Sequence, residues 1–410
     1  MSKHEVTIGM TQEIKELMYV EGYASESTRI AEFIAAKGER FSYDRENNRY
    51  FINTFYPSFP SKAWNRLIIG GKKMVKKDVR VPLQADIVVT GKCHCRCWYC
   101  FRIKAKRDDL TLEEIKKTID ELYEMGTLTV GITGGEPMLR GDIRNIIEMI
   151  PDGIEGQLYT TGHNITNDFA RFLKTTNLTR VIISLDHYEE EMANGMRNYN
   201  NAFNEAISAI RCLVDEGIYT AVTVCITERL LEEGKLKRYF DYVKNLGINE
   251  IRIVLPIPQG NLESENRREI ANLYIDAIRF VKNIKKEYAN KAEYPQITNF
   301  CEFESASYMG CAAGANYISI NNDGLVTPCV AVPLSFGNIR ENSLKEIFND
   351  MGKYFPRSGK VCYGKTSGKI IQKKKINTDI TPISERQSKE VASECIKSES
   401  RAAIFDCFVS

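Results

Sequence analysis

Short apolar runs alternate with longer stretches of helical period between about Val81 and Asn290. The runs are "ADIVVTG", "TLTVGITGG", "GQLYTTG", "RVIISLD", "AVTVCIT" and "EIRIVLPI". All are rich in β-branched residues, as strands covered on both faces require. After the first run, Thr111 and Glu114 set up a capping box for a helix with Ile115, Ile119 and Leu122 on one face, closed by Gly126. Another helix is predicted from Asp142. Repeated strand–helix units imply a parallel sheet with right-handed crossovers. Their span of about 210 residues is short of the roughly 250 of an eightfold barrel. The expected fold class is therefore α/β, a partial (β/α)6 barrel of parallel strands. Ligands of such sheets bind beyond the C-terminal strand ends.

The flanks have different patterns. Residues 1–80 predict two helices, in "TQEIKELMYV" and "STRIAEFIAAKG", then a hairpin in "RFSYDRENNRYFI", where aromatics alternate about a polar turn. Residues 81–295 form the barrel unit, and 296–366 a small cysteine-bearing unit. From 367 to 410 the chain turns polar and rich in Lys and Ser ("SGKIIQKKKIN", "SERQSKEVASE"), which predicts a loosely ordered tail. No internal repeat is visible.

Composition narrows the classes. The 410 residues carry 56 Lys+Arg against 54 Asp+Glu, a net charge of +2, which gives no argument for a nucleic-acid partner. No apolar run is long enough for a membrane span, and the N-terminus lacks a signal-peptide core. The expected location is the cytoplasm, where thiols stay reduced. Twelve cysteines then point to metal or redox chemistry rather than disulfides.

Four of them stand in "TGKCHCRCWYCF". Cys93, Cys97 and Cys100 are spaced C-x3-C-x2-C, with Cys95 between them. Three readings are open. The four could close a zinc site, although so short a loop would strain a tetrahedron. Three thiolates could hold three irons of a cubane and leave the fourth iron accessible. Or all are buried structural thiols. The spacing and the position after a strand favour the second.

"KCHCRCWYC", with Tyr99 before its last cysteine, resembles the motif of the radical S-adenosylmethionine (radical SAM) enzymes. "GITGGEP" is similar to that family's Gly-Gly-Glu-Pro element, here Gly134, Gly135, Glu136 and Pro137. The two glycines would let backbone approach a ligand closely, and Glu136 with nearby carbonyls would receive an ammonium. In "LYTTG", Thr160 matches the family's Thr-Asn-Gly and Thr161 departs from it. In "ISLDHYEEEMANGMRNYNNAF", Ser184 and Arg197 match, while His187 and Asn198 replace glycines. The resemblance assigns Ser184 and Arg197 to the methionine carboxylate and "IPQGN" (Ile257–Asn261) to the adenine end. It implies a [4Fe–4S] cluster whose open iron is chelated by S-adenosyl-L-methionine. It further implies reductive cleavage to a 5'-deoxyadenosyl radical and hydrogen abstraction from a substrate. Cluster potentials reach about −700 mV, so the implied partner is a low-potential donor, flavodoxin- or ferredoxin-like.

A second group follows. Cys311 and Cys329 bracket a predicted hairpin with the turn "NNDG". This resembles the start of the SPASM auxiliary-cluster domain or its shorter relative, the twitch domain. With Cys301 and Cys362, these cysteines would ligate one auxiliary [4Fe–4S] cluster. The dense C-x2-C-x5-C group of a full SPASM pattern is missing, so no second auxiliary cluster is expected. Cys95, Cys212, Cys225, Cys395 and Cys407 are expected to be ordinary thiols. The leading substrate class is a peptide or protein. The alternative is radical oxidation or coupling of a sugar-like or lipid-like small molecule, and a non-catalytic metal-binding interaction protein is a distant third. The N-terminal unit could bind a peptide leader, although its hairpin follows its helices rather than preceding them. Basic clusters at Lys72–Lys77 and Lys373–Lys375 could meet an acidic leader or an anionic headgroup.

Overall fold

A computed structural model describes residues 4–102, 108–232, 234–257, 259–262, 267–397 and 401–409. The six predicted strands all form: β4 (Gln84–Val88), β5 (Thr129–Thr133), β6 (Glu155–Thr160), β7 (Leu178–Ser184), β8 (Tyr219–Cys225) and β9 (Glu250–Val254). Before them, β1 (His4–Ile8), β2 (Arg40–Asp44) and β3 (Arg49–Phe51) make a separate antiparallel sheet in that order. After them come β10 (Gln296–Asn299), β11 (Tyr317–Ile320) and β12 (Val326–Thr327). The main sheet runs β10-β9-β8-β7-β6-β5-β4-β11-β12. Its strands are parallel except at the β11–β12 hairpin. The architecture is an open partial barrel, one edge of which is extended by the cysteine-bearing unit.

Alternation along the strands explains the layers. One parity, with Ile87, Val130, Ile132, Leu158, Val181, Ile183, Val222, Ile251 and Ile253, is fully buried in a single apolar core. That core also takes Ile115, Ile119 and Leu122 of the helix Leu112–Met125, whose capping box forms as predicted. The other parity carries buried polar groups: Asp86, Gln157, Arg180, Glu250 and Arg252.

Much of that polar face is met by the N-terminal unit. Thr54 donates from its backbone and hydroxyl to Glu250, at 2.8 and 3.0 Å. Ser58 Oγ donates to Glu155 at 2.5 Å, Arg180 pairs with Glu155, and its Nη2 donates to Tyr56 O at 2.7 Å. Glu155 and Glu250 begin their strands, so residues 54–58 plug the N-terminal end of the barrel. The cysteine loop follows the other end of β4. Any recognition of a peptide by this unit would therefore act from the opposite end of the barrel.

The C-terminal stretch corrects the expectation of a loose tail. It folds into the helices Tyr363–Lys374 and Glu385–Glu394 and the short turn Ala403–Phe408. Ile371, Val391 and Ala392 bury in the main core, while Ile404, Phe405 and Phe408 bury against the N-terminal unit. Sparse apolar positions among many Lys and Ser residues still suffice for one buried face. The basic clusters are partly spent as well. Lys72 is buried and paired with Glu26, and Lys374 pairs with Glu394 at 2.6 Å. No helix of the described residues is long and apolar enough to cross a membrane.

Candidate active site

The cysteine loop leaves β4 and is tied to the turn after β5. Gly135 N donates to Thr90 O and Glu136 N to Lys92 O, both at 2.8 Å. A Cβ on Gly135 would lie 2.2 Å from Lys92 O, and one on Gly134 would lie 2.9 Å from Thr90 O. The close approach expected of these glycines is thus made to the cysteine loop itself. Glu136 is fully buried and accepts from Thr160 Oγ1 at 2.6 Å, Thr161 N at 2.7 Å, Thr161 Oγ1 at 2.8 Å and Met138 N at 3.0 Å. Its carboxylate is filled, so only the backbone carbonyls of this turn are left to receive an ammonium. Thr160 likewise serves Glu136, and Thr161, the departure from the family pattern, adds two of its bonds. Pro137 opens the 3-10 turn Pro137–Leu139 that follows.

Within the loop Cys95 is buried, and its thiol hydrogen-bonds to both Cys93 and Cys97. That sharing pulls the Cys93 thiol down and Cys97 to about 7, and pushes Cys95 up. Burial raises Cys100. Among the described residues no three thiols lie within 4.8 Å of one another. Tetrahedral zinc with bonds of about 2.3 Å needs sulfurs about 3.8 Å apart, so the thiols as placed are not pre-set for zinc.

Asp186 organises the wall opposite. It is 2% exposed and accepts from Tyr99 OH at 2.6 Å, Arg197 Nη2 at 2.7 Å and Cys225 N at 3.0 Å. Burial works against the charge of Arg197, but Asp186, Tyr99 and Cys97 outweigh it and hold its pKa above the usual value. Arg197 Nη1 reaches Cys97 Sγ at 4.0 Å, and its backbone carbonyl accepts from Arg96 N at 2.9 Å. Its Nε is buried with no partner. A buried donor left open beside a thiolate fits an anionic group bound there. Ser184 ends β7, half-buried. The departures from the family pattern have structural reasons. Asn198 adopts φ +48°, which Asn tolerates, and the buried His187 accepts from Glu189 N at 3.0 Å. In "IPQGN", Pro258 lies outside the described residues. Gly260 has φ +59°, and a Cβ there would meet Cys100 O at 2.4 Å. Asn261 donates to Cys100 O at 3.1 Å and to Cys97 O at 2.8 Å. This turn therefore closes onto the cysteine loop.

The second cysteine group also assembles. Cys311 and Gly359 exchange backbone hydrogen bonds of 2.8 and 2.7 Å, which brings Cys362 beside Cys311. Their thiols hydrogen-bond, lowering Cys362 to about 6, and Cys301 and Cys329 lie within Coulombic reach of Cys362. Burial raises Cys301 to about 12. The sequence reading missed Glu304, whose carboxyl lies within Coulombic reach of all four thiols. Burial and the neighbouring Cys362 push it up to about 8. Its spacing from Cys301, i to i+3 in a helical turn, was the available signal.

Residues 87–233 match the model of the radical SAM superfamily, and residues 311–357 match that of the SPASM iron–sulfur cluster-binding domain. The chain carries a radical SAM domain followed by a SPASM domain. Its cofactors are accordingly a [4Fe–4S] cluster with S-adenosylmethionine and an auxiliary cluster in the SPASM domain. This radical SAM protein is similar to AlbA, the antilisterial bacteriocin subtilosin biosynthesis protein of Bacillus subtilis. The two are 26% identical over 275 residues, 66% of this chain and 60% of AlbA, so the match spans less than two thirds of that relative. It is also similar to an AdoMet-dependent heme synthase of Methanosarcina barkeri, 24% identical over 284 residues, covering 64% of this chain and 80% of the synthase. In fold it is similar to Streptococcus suis SuiB bound to S-adenosylmethionine, with a TM-score of 0.55 at 19% identity over 67% of this chain and 68% of SuiB.

Proposed function

We propose that this radical SAM protein modifies a peptide. Cys93, Cys97 and Cys100 would hold the cluster that binds S-adenosylmethionine. The backbone carbonyls of residues 134–136 would take its ammonium, and Ser184 with the open Nε of Arg197 its carboxylate. Cys301, Cys311, Cys329 and Cys362 would hold the auxiliary cluster. When bound, the reduced cluster and S-adenosylmethionine supply a 5'-deoxyadenosyl radical that takes a hydrogen atom from the substrate. The chain's own part is to position and to exclude water. Asp186 fixes Arg197 and Tyr99, and the turn at Gly260 closes over the cysteine loop.

The observation that carries the reading is a cavity of about 350 Å³ reached from solvent. Its wall takes Phe101 and Arg102 from the end of the cysteine loop, Asn321 and Thr327 from the β11–β12 hairpin, Ile371 from the helix Tyr363–Lys374 and Lys375 just past its end. The cavity thus lies between elements carrying the two cysteine groups, where a chain segment can present one residue to the first cluster and be held near the second. The likeness to AlbA, and to SuiB, also solved with its precursor peptide SuiA, supports a peptide. A small-molecule substrate is the second reading, because an AdoMet-dependent heme synthase matches about as well as AlbA; the sequence expectation of a sugar-like or lipid-like molecule falls within it. A flavodoxin- or ferredoxin-like donor in the cytoplasm would supply the electron.

The test is anaerobic incubation of the reconstituted protein with S-adenosylmethionine, dithionite and synthetic peptides, beginning with any short reading frame beside its gene. The reading expects 5'-deoxyadenosine and a mass change in the peptide. Deoxyadenosine with an unchanged peptide would reject the peptide reading and leave the radical chemistry standing.

A further inference from the structure

Three side chains from separate elements converge beside the cysteine loop. His94 lies between Cys93 and Cys95, His163 just past the end of β6, and Glu205 in the first turn of the helix Ala202–Glu216. His163 Nδ1 is 3.0 Å from Glu205 Oε2, and His94 Nε2 is 3.9 Å from the same oxygen. The two imidazole centroids are 4.5 Å apart. One ligand atom from each residue lies within 4.8 Å of the other two, and among the described residues this is the only such group of three.

Two further observations separate the cluster from a plain hydrogen-bonded contact. Both ring nitrogens of His94 are buried and have no hydrogen-bond partner, an arrangement that asks for a ligand. Glu205 is already oriented, since its Oε1 accepts from Tyr199 OH at 2.8 Å and from Asn201 Nδ2 at 3.2 Å. Its Oε2 is thereby turned toward the imidazoles. Outer hydrogen bonds of this kind hold a metal-binding carboxylate in place. Ligand atoms bound at about 2.0–2.1 Å in a tetrahedron are about 3.3 Å apart. The two distances to Glu205, 3.0 and 3.9 Å, straddle that value, and the third separation is within 4.8 Å.

We propose that His94, His163 and Glu205 bind one divalent cation of the zinc or ferrous class, with water completing its coordination. Two neutral imidazoles and one carboxylate are a donor set those ions accept. The ion would join the cysteine loop to the β6 loop and to the helix Ala202–Glu216. Its ligands include none of the cysteines, and it does not depend on the identity of the substrate.

The experiment uses the full chain, loaded anaerobically with its clusters so that their thiols are occupied. Zinc chloride is added, excess is removed by gel filtration, and zinc and iron are counted by mass spectrometry. Zinc K-edge absorption then reads the ligands. The proposal expects about one zinc per chain with a nitrogen/oxygen shell near 2.0–2.1 Å and no sulfur shell near 2.3 Å. His163→Ala and Glu205→Gln should each weaken zinc retention at least tenfold with iron content unchanged. Glu205→Gln preserves shape and the Tyr199 contact, so it serves if His163→Ala folds poorly. A sulfur shell, no retained zinc, or retention unaltered in a folded variant would each overturn the proposal.

Discussion

Asp186→Asn keeps the size of the side chain and an acceptor for Cys225 N, but it removes the charge that Arg197 faces. The carboxylate is 2% exposed and the Arg197 side chain 11% exposed, so little water can substitute for it. Removing one partner of a buried ion pair costs about 3–5 kcal/mol. At about 2.1 cal/mol/K per residue, the unfolding entropy of the 410-residue chain is about 0.86 kcal/mol/K, so the midpoint should fall by about 3.5–6 °C. The assay is differential scanning calorimetry of the cluster-loaded protein at one fixed scan rate. Arg197→Met should also lose stability, and the double variant should recover much of the loss, because contacting groups are not additive. A shift of less than about 1 °C for Asp186→Asn, or fully additive losses, would refute the buried-pair reasoning.

Cys95→Ala should keep its iron and most of its deoxyadenosine formation, since Cys95 fills a buried position between proposed ligands; losses matching those of Cys97→Ala would mean that the ligand register is wrong. Replacing Cys311 and Cys329 together should remove about four irons per chain while S-adenosylmethionine is still cleaved without substrate turnover; turnover that survives would deny the second cluster a role. Ser58→Ala withdraws one donor from the buried Glu155 and should cost about 1–3 kcal/mol, read from thermal unfolding. Although burial opposes it, Arg180 and Ser58 hold the Glu155 carboxyl below its usual 4.5. That stabilisation is present above pH 4.5 and is lost as pH falls through the lowered value. Ser58→Ala should therefore shrink the acid-side loss of stability, and an unchanged pH profile would contradict the plug.

The period of the apolar runs made the six-strand core, the capping box at Thr111 and the β2–β3 hairpin legible, because local spacing alone dictates those features. The extension of the sheet was not legible. β11 lies beside β4, more than 200 residues earlier, and nothing local announces that pairing. The polar parity of the strands, from Asp86 to Arg252, gains meaning only once residues 54–58 are seen to dock against it. In the site, the motif cysteines, the two glycines and Arg197 could be named from pattern. Asp186 stood inside a quoted motif, but its importance comes from Tyr99, Arg197 and Cys225 converging on it. The carboxylate of Glu136 was read as facing a ligand, whereas threonines from the next strand end enclose it. Lys and Ser density hid the buried face of the C-terminal helices.

The central claim is that the loop at Cys93, Cys97 and Cys100 holds the cluster that cleaves S-adenosylmethionine. The most direct measurement is iron content together with deoxyadenosine formation, in the anaerobically reconstituted protein and in a variant with those three cysteines changed to Ala. The account predicts about eight irons per chain and active cleavage in the parent, against about four irons and no cleavage in the variant. Iron near eight in the variant, or tightly held zinc in place of iron in the parent, would contradict it.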